Sequence, residues 1–288
     1  DANTQTVTLD DGNRLHFDCL SLNTGPTQNR ALIEKTIPGA AEHALFVRPI
    51  ETLGSLWPQV VEMAGTRALR FVVIGAGAAG IELAMAIRQR LPHTSVTLLC
   101  GDTPLGAGYA DKVQARLKAA LLARHITLLE DRATGLSAGA LQLASGSKLV
   151  CDVPLLSMGA QAPAWLAGSG LALDAQGFVA VDACQRSISH AQVFAAGDIS
   201  SRSDRALARS GVYAVRAGPA LAMNLAAALA GQPLKEHQPP QHTLNLISCG
   251  DRYAIASWGP YSAEGRWVWR LKDWIDRRFL RRYRPDAS

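Results

Sequence analysis

With 288 residues, 48% of them hydrophobic and 18% charged, the chain is long enough for two globular domains and too apolar to be disordered. Its net charge is +5, yet eight basic residues between Arg266 and Arg284 face only Asp273 and Asp276, so this tail accounts for the whole excess. A near-neutral body argues against a nucleic-acid-binding protein and leaves a local anionic partner for the tail.

In chain order, Thr6–Leu9 and Leu15–Cys19 flank Asp11-Gly12 and read as a β-hairpin, since Asp-Gly supplies the positive-φ turn. Phe17–Leu22 then runs into the small-residue turn Asn23-Thr24-Gly25. Proline-punctuated loops lead through Arg48-Pro49-Ile50 to a short helix over 51–64. From Arg70 a βαβ unit begins, with a strand at 71–74, a helix over 79–90 and a strand at 95–99. A helix over 111–123, a strand at 126–129 and a glycine-punctuated meander through 132–150 follow, and Val153–Ser157 closes the domain at Gly159. Strands at 177–181 and 193–198 precede a long helix over 212–230, stopped by Gly231-Gln232-Pro233. Two more strands, 243–248 and 253–258, lead to an aromatic, basic helix.

The five cysteines (Cys19, Cys100, Cys151, Cys184, Cys249) are scattered, and none forms a CxxC pair. Neither a redox dithiol nor a zinc knuckle is written here, and no metal site is expected. Scattered thiols, the absence of a leader pattern and the lack of a long uncharged apolar run predict a cytoplasmic chain. The first residue is Asp1 rather than Met, as expected of a fragment or a processed chain.

Two motifs carry the chemistry. Phe71-Val72-Val73-Ile74 enters Gly75-Ala76-Gly77-Ala78-Ala79-Gly80, and an Ala-, Leu- and Ile-rich helix follows. A G-x-G-x-x-G between strand and helix is a dinucleotide-binding fingerprint. Gly75 permits the tight turn, Gly77 lets backbone approach a diphosphate, and Gly80 lets helix and sheet close up, with the anion on the helix N-terminus. The acid that normally binds the ribose, about 20 residues on, is replaced by Cys100. Asp102 is the nearest carboxylate, and no Arg or Lys lies between Cys100 and Asp111 to meet a 2′-phosphate. NADH is therefore favoured over NADPH. The second motif is Ala196-Gly197-Asp198 after Val193-Phe194-Ala195. Its Gly admits a cofactor diphosphate and its Asp accepts a ribityl hydroxyl. The helix beginning near Gly211-Val212-Tyr213 would turn its positive end toward a flavin ring.

In the tail, Trp267, Leu271, Trp274, Ile275 and Phe279 recur at helical spacing, with Arg270, Asp273, Arg277, Arg278 and Arg281 on other faces. That pattern suits a helix lying in a bilayer interface, and equally one packed on its own sheet or on the mate in a homodimer.

The paired motifs make the chain resemble the pyridine nucleotide-disulfide oxidoreductase superfamily, which includes type II NADH dehydrogenases, ferredoxin reductases and sulfide:quinone reductases. It is most similar to the type II NADH dehydrogenase-like branch associated with selenide, water dikinase. Four stretches carry that likeness: 48–51, 165–173 (Trp-Leu-Ala-Gly-Ser-Gly-Leu-Ala-Leu), 212–219 (Val-Tyr-Ala-Val-Arg-Ala-Gly-Pro) and 248–259. The resemblance implies FAD and NAD(P)H as cofactors. It implies NAD(P) against Gly75, Ala76, Gly77, Ala79, Gly80, Glu82 and Asp102, with Gly159 at the exit of that domain. It places FAD against Thr24, Gly25, Gly197, Asp198, Val212 and Tyr213. Members open with a further strand and glycine loop for the FAD diphosphate, and the chain is expected to lack that unit. The absent cysteine pair leaves direct hydride transfer from nicotinamide to flavin, then electron transfer to a small-molecule acceptor such as a quinone, with no side chain assigned a catalytic role. Type II NADH dehydrogenases reach membrane quinone through C-terminal elements, which implies a peripheral position on the inner face of the cell membrane. The alternative is a non-catalytic nicotinamide-binding or redox-sensing module, or an inactive fragment, linked to selenium metabolism.

The expected fold class is α/β: two Rossmann-like dinucleotide-binding domains, the FAD-type one incomplete at its N-terminus, and a small C-terminal α+β cap. The expected boundaries are 1–66 for the first FAD-type segment, 67–159 for the NAD(P)-binding domain, 160–233 for the second FAD-type segment and 234–288 for the cap.

Overall fold

A computed structural model describes residues 1–158 and 161–283. It has the α/β architecture expected, and the chain divides into two compact units, Asp1–Asn29 with Ala160–Thr243 and Arg30–Gly159 with Leu244–Ser288.

The larger unit is built on a five-stranded parallel sheet in the order Leu45–Phe46, Val153–Leu156, Arg70–Ile74, Ser95–Leu99, Ile126–Leu129. Parallel strands covered on both faces read as unbroken apolar runs. Val153–Leu156 is buried throughout, and Arg70–Ile74 is buried except at Arg70. The helix Ala78–Arg90 packs on this sheet through Ile81, Ala84, Met85 and Ile87, and Asp111–Ala123 packs through Val113, Leu117 and Leu121. A three-stranded antiparallel meander (Ala133–Ser137, Ala140–Leu143, Lys148–Val150) packs with the short helices Arg30–Thr36 and Ala40–His43. The final stretch forms three antiparallel strands, Leu244–Ser248, Ala254–Trp258 and Tyr261–Gly265, covered by the terminal helix Arg266–Arg281.

Two boundaries read from sequence differ here. Residues 30–66 belong with the glycine loop, because Leu45–Phe46 pairs with the closing strand Val153–Leu156. The C-terminal cap belongs there too, because Ile247, Cys249 and Ile255 share one apolar core with Phe71, Val73 and Ile81.

In the smaller unit Leu20–Leu22 runs parallel to Val193–Ala195, and Val179–Val181 runs parallel to Ser200–Arg202. The helix Gly211–Leu229 lies against them through Ala217 and Leu221. With Arg216 its only charge, this helix is long and apolar enough to cross a membrane by length and composition, although it is not an uncharged run. Its buried Asn224 nonetheless clamps the surrounding chain, donating to the carbonyls of Cys184 and Lys235 and accepting from Lys235 N–H, each at 2.8–2.9 Å.

Candidate nucleotide-binding sites

The loop at Gly75–Gly80 connects the C-terminal end of a central strand to a helix, so its backbone conformation follows from the sheet. Gly75 donates to Leu99 O at 2.9 Å and has φ +117°, where a side chain is strained. A Cβ on Gly80 would run into the Gly75 carbonyl, which is why the helix can sit so close to the strand only with glycine there. Gly77 is different in kind. It caps the helix with no side-chain hydrogen bond, is exposed, and has open space where a Cβ would lie. Above it the first-turn N–H groups of the helix have no intrahelical acceptor. An open glycine beneath free amides is the cradle that a dinucleotide diphosphate fills, so the residues fit an NAD(P)-type ligand. Ala76 is buried with its carbonyl bonded to Gly106 N–H at 3.0 Å, whereas Ala79 is exposed at the mouth.

Glu82 does not point freely into this mouth. Its carboxylate accepts Ser248 N–H at 2.7 Å, tying the loop helix to the first cap strand. Burial raises its pKa, against the opposing pull of that N–H and of Lys272. Cys100 is buried, which keeps its thiol from a ribose outside the sheet, and desolvation raises its pKa. Asp102 is 85% exposed, and Arg132, arriving from beyond strand Ile126–Leu129, meets it at 3.4 Å. No local signal in the sequence announces that pairing. Gly159 lies outside the described residues.

In the smaller unit the parallel pairing of Leu20–Leu22 with Val193–Ala195 sends Thr24-Gly25 and Gly197-Asp198 out of the same sheet end. Ala196 N–H bonds Leu22 O there at 3.1 Å. Gly197 has φ +73°, and a Cβ on it would stand 3.1 Å from that of Ala214, in the first turn of the apolar helix. Gly197, Val212 and Tyr213 thus gather around one helix N-terminus. Tyr213, however, spends its hydroxyl on Pro240 O at 3.4 Å.

Reasoning from sequence missed Ser210 and Gln185. Ser210 caps this helix without a side-chain hydrogen bond, and its buried hydroxyl has no partner. Gln185, also buried, leaves its side-chain carbonyl unpaired and lines a cavity of about 60 Å³ beneath Gly197-Asp198, with Arg202, Tyr213 and His237 also on the wall. Ser directly before Gly211-Val212 was a legible N-cap signal; nothing local marked Gln185. An unpaired buried amide oxygen on the wall of this cavity is what a polar cofactor edge would satisfy, and the cavity's size admits such an edge rather than a whole ring system. Among the described residues of this unit no strand enters a helix through a G-x-G-x-x-G turn.

Residues 1–224 match the pyridine nucleotide-disulphide oxidoreductase family. The chain belongs to that family. Its members are flavin-dependent oxidoreductases, and the family implies FAD and NAD(P)H as the cofactor pair for the two sites. Among relatives, ferroptosis suppressor protein 1 of Taeniopygia guttata is 23% identical over 265 residues, covering 87% of this chain. The chain spans about two thirds (66%) of that protein's length. Two solved structures share the fold: NDH2 of Plasmodium falciparum in complex with NADH (TM-score 0.80, 12% identity, 97% of this chain and 78% of that one), and the sulfide:quinone oxidoreductase of Aquifex aeolicus (TM-score 0.76, 15% identity, 97% and 72%). The family's name notwithstanding, all five cysteines here are free. Burial pushes Cys151 and Cys249 up to about 12, so neither thiol is ionised near neutrality.

Proposed function

We propose that the chain belongs to an FAD-dependent NAD(P)H oxidoreductase that takes electrons from NADH and delivers them to a small-molecule acceptor of the quinone class. The observation that carries this reading is that one chain holds both turns, an open glycine cradle at Gly77 and a flavin-type Gly197-Asp198 turn beside an unsatisfied Ser210. Bound flavin would supply the two-electron relay, accepting hydride from the nicotinamide and passing electrons on. The protein's own part is to bind and orient. The amides above Gly77 hold one diphosphate, Gly75 and Gly80 fix the loop, and Asp198 and Ser210 offer polar contacts to the second cofactor. With its thiols protonated, the chain offers no dithiol relay, which supports direct transfer. NADH is the proposed donor because Asp102 offers a carboxylate to the ribose, against the cation that Arg132 brings to the same place at 3.4 Å.

An absorbance scan of the purified chain with added FAD, then with anaerobic NADH, tests this reading. A visible flavin band that bleaches on NADH supports it, and NADPH bleaching as readily removes the NADH preference. A second reading is of the chain as a nicotinamide-binding module, in which the open cradle at Gly77 alone is occupied. A colourless protein that still binds NADH would move the conclusion there.

A further inference from the structure

The five-stranded sheet of the larger unit ends on one side at Ile126–Leu129, and among the described residues no further strand pairs beyond it. Soluble proteins ordinarily blunt such an edge with a proline, a charge or a bulge. This one carries none of the three. The strand reads Ile-Thr-Leu-Leu, and its register with Ser95–Leu99 runs without a shift. Leu129 O accepts Cys100 N–H at 2.9 Å, so Leu129, and with it Thr127, turns its peptide groups into the sheet. A residue's N–H and C=O leave a strand on one side, and successive residues alternate. Ile126, Leu128 and Glu130 therefore direct theirs outward.

A groove of about 720 Å³ lies along this edge, walled by the strand and by Lys118 and Leu122 of the helix Asp111–Ala123. Its apolar surface is Leu122, Ile126 and Leu128, of which Leu122 is 53% exposed. Its charged and titratable groups are Lys118, His125 and Glu130, all exposed, and among the described residues none of them forms a salt bridge. Their placement is polar along the strand. His125 stands just before its first residue and Glu130 just after its last.

We propose that this edge receives the same edge of a second copy of the chain, running antiparallel, so that one sheet continues across a two-fold axis at Leu128. With Leu128 opposite Leu128 of the second copy, Ile126 of each faces Glu130 of the other, and the outward peptide groups of all three pair. Each Glu130 then lies beside the other copy's His125 and within a side chain's reach of its Lys118. A parallel addition would instead set Glu130 on Glu130 and His125 on His125. A foreign strand would use the same peptide groups, but opposite charges at the two ends make this edge complementary to itself. The contact is isologous and closes at two copies, leaving no open edge for further growth.

The test is sedimentation equilibrium of the full chain at concentrations up to about 0.1 mM, where a reversible dimer is expected. Glu130→Lys should weaken dimerisation at least about tenfold, by setting a lysine against Lys118 and His125 of the other copy. Adding Lys118→Glu to that variant should restore it. The register has its own readout. Leu128→Cys places two thiols opposite each other at the axis, with Cα atoms about 5.5 Å apart, and should give an oxidised dimer on non-reducing gels. Thr127→Cys, whose opposite number is Leu129, should not. A wild-type monomer at the highest concentration overturns the proposal and leaves the edge to a foreign strand. So does a dimer indifferent to Glu130→Lys, a charge swap that fails to rescue a variant with wild-type circular dichroism, or equal cross-linking through positions 127 and 128. None of these readouts involves flavin or NADH, so failure here is distinct from failure of the oxidoreductase reading.

Discussion

Two helices bring their N-termini to nucleotide-type turns, and they are held in opposite ways. Ala78–Arg90 mixes arginines with alanines, yet buries Gly80, Ile81, Ala84, Met85 and Ile87. Gly211–Leu229 carries a single charge, yet buries only Ala217, Leu221 and Asn224, and leaves Val215, Met223 and Leu229 exposed. Hydrophobic composition alone therefore does not say which helix sits in a core. The first is fixed by a sheet on which glycine allows close approach. The second is fixed by a polar clamp.

The sharpest way to break this contrast is at the first helix. Gly80→Val puts a side chain into the Gly75 carbonyl and should cost at least about 3 kcal/mol in urea unfolding, with NADH binding lost. Gly77→Ala, whose new methyl meets open space, should leave stability within about 1 kcal/mol while weakening NADH binding roughly tenfold by fluorescence titration. If both glycines instead behave alike, the distinction between a packing glycine and a cradle glycine fails. At the second helix, Asn224→Leu strands two carbonyls and one N–H and should cost about 2–3 kcal/mol, despite making the helix more apolar. A neutral or stabilising result would show that the clamp is dispensable.

Asp152 contributes a smaller, pH-dependent effect in the larger unit. It accepts from Arg70 N–H, from Arg70 Nε at 2.8 Å and from Arg67 Nη1 at 3.0 Å, and the Arg70 guanidinium holds its carboxyl well below the usual range. A depressed folded-state pKa stabilises above the unfolded value near 4 and loses that contribution as pH falls below it. Asp152→Asn should cost about 1–2 kcal/mol at pH 7, discounted because both arginines are half-exposed, and the wild-type advantage should shrink in thermal melts toward pH 3. Met223→Ser, at a side chain 58% exposed, should change stability by less than about 0.5 kcal/mol. A larger loss would mean that the exposed face of the second helix is covered in solution.

Much of this was legible from local pattern. The strand before Gly75, the helix after it and the strand Val193–Ala195 before Gly197 each combine a hydrophobic run with a turn residue that only one geometry accommodates. The tail helix was legible in extent but not in orientation, because helical periodicity does not say which half of a wide stripe meets a sheet. Residues 30–46 carry weak periodicity, and their strand exists only because Val153–Leu156 offers an edge. The meeting of Asp102 with Arg132 and of Glu82 with Ser248 depends on segments brought together by the fold. No spacing rule encodes such encounters.

The nesting of the two units also sets an order of assembly. Among the described residues Leu20–Leu22 pairs only with Val193–Ala195, made much later, and residues 30–158 can form their parallel sheet in between. Folding that sheet first draws the ends of the waiting loop together and reduces the entropy its closure must overcome. A ribosome stalled before residue 193 would therefore display a nearly finished nucleotide sheet on a tether whose own strand is still unpaired. At that stage Leu20–Leu22 is an open strand edge for a chaperone or a mispaired neighbour, and the sheet still lacks the cap residues Ile247, Cys249 and Ile255 that complete its core.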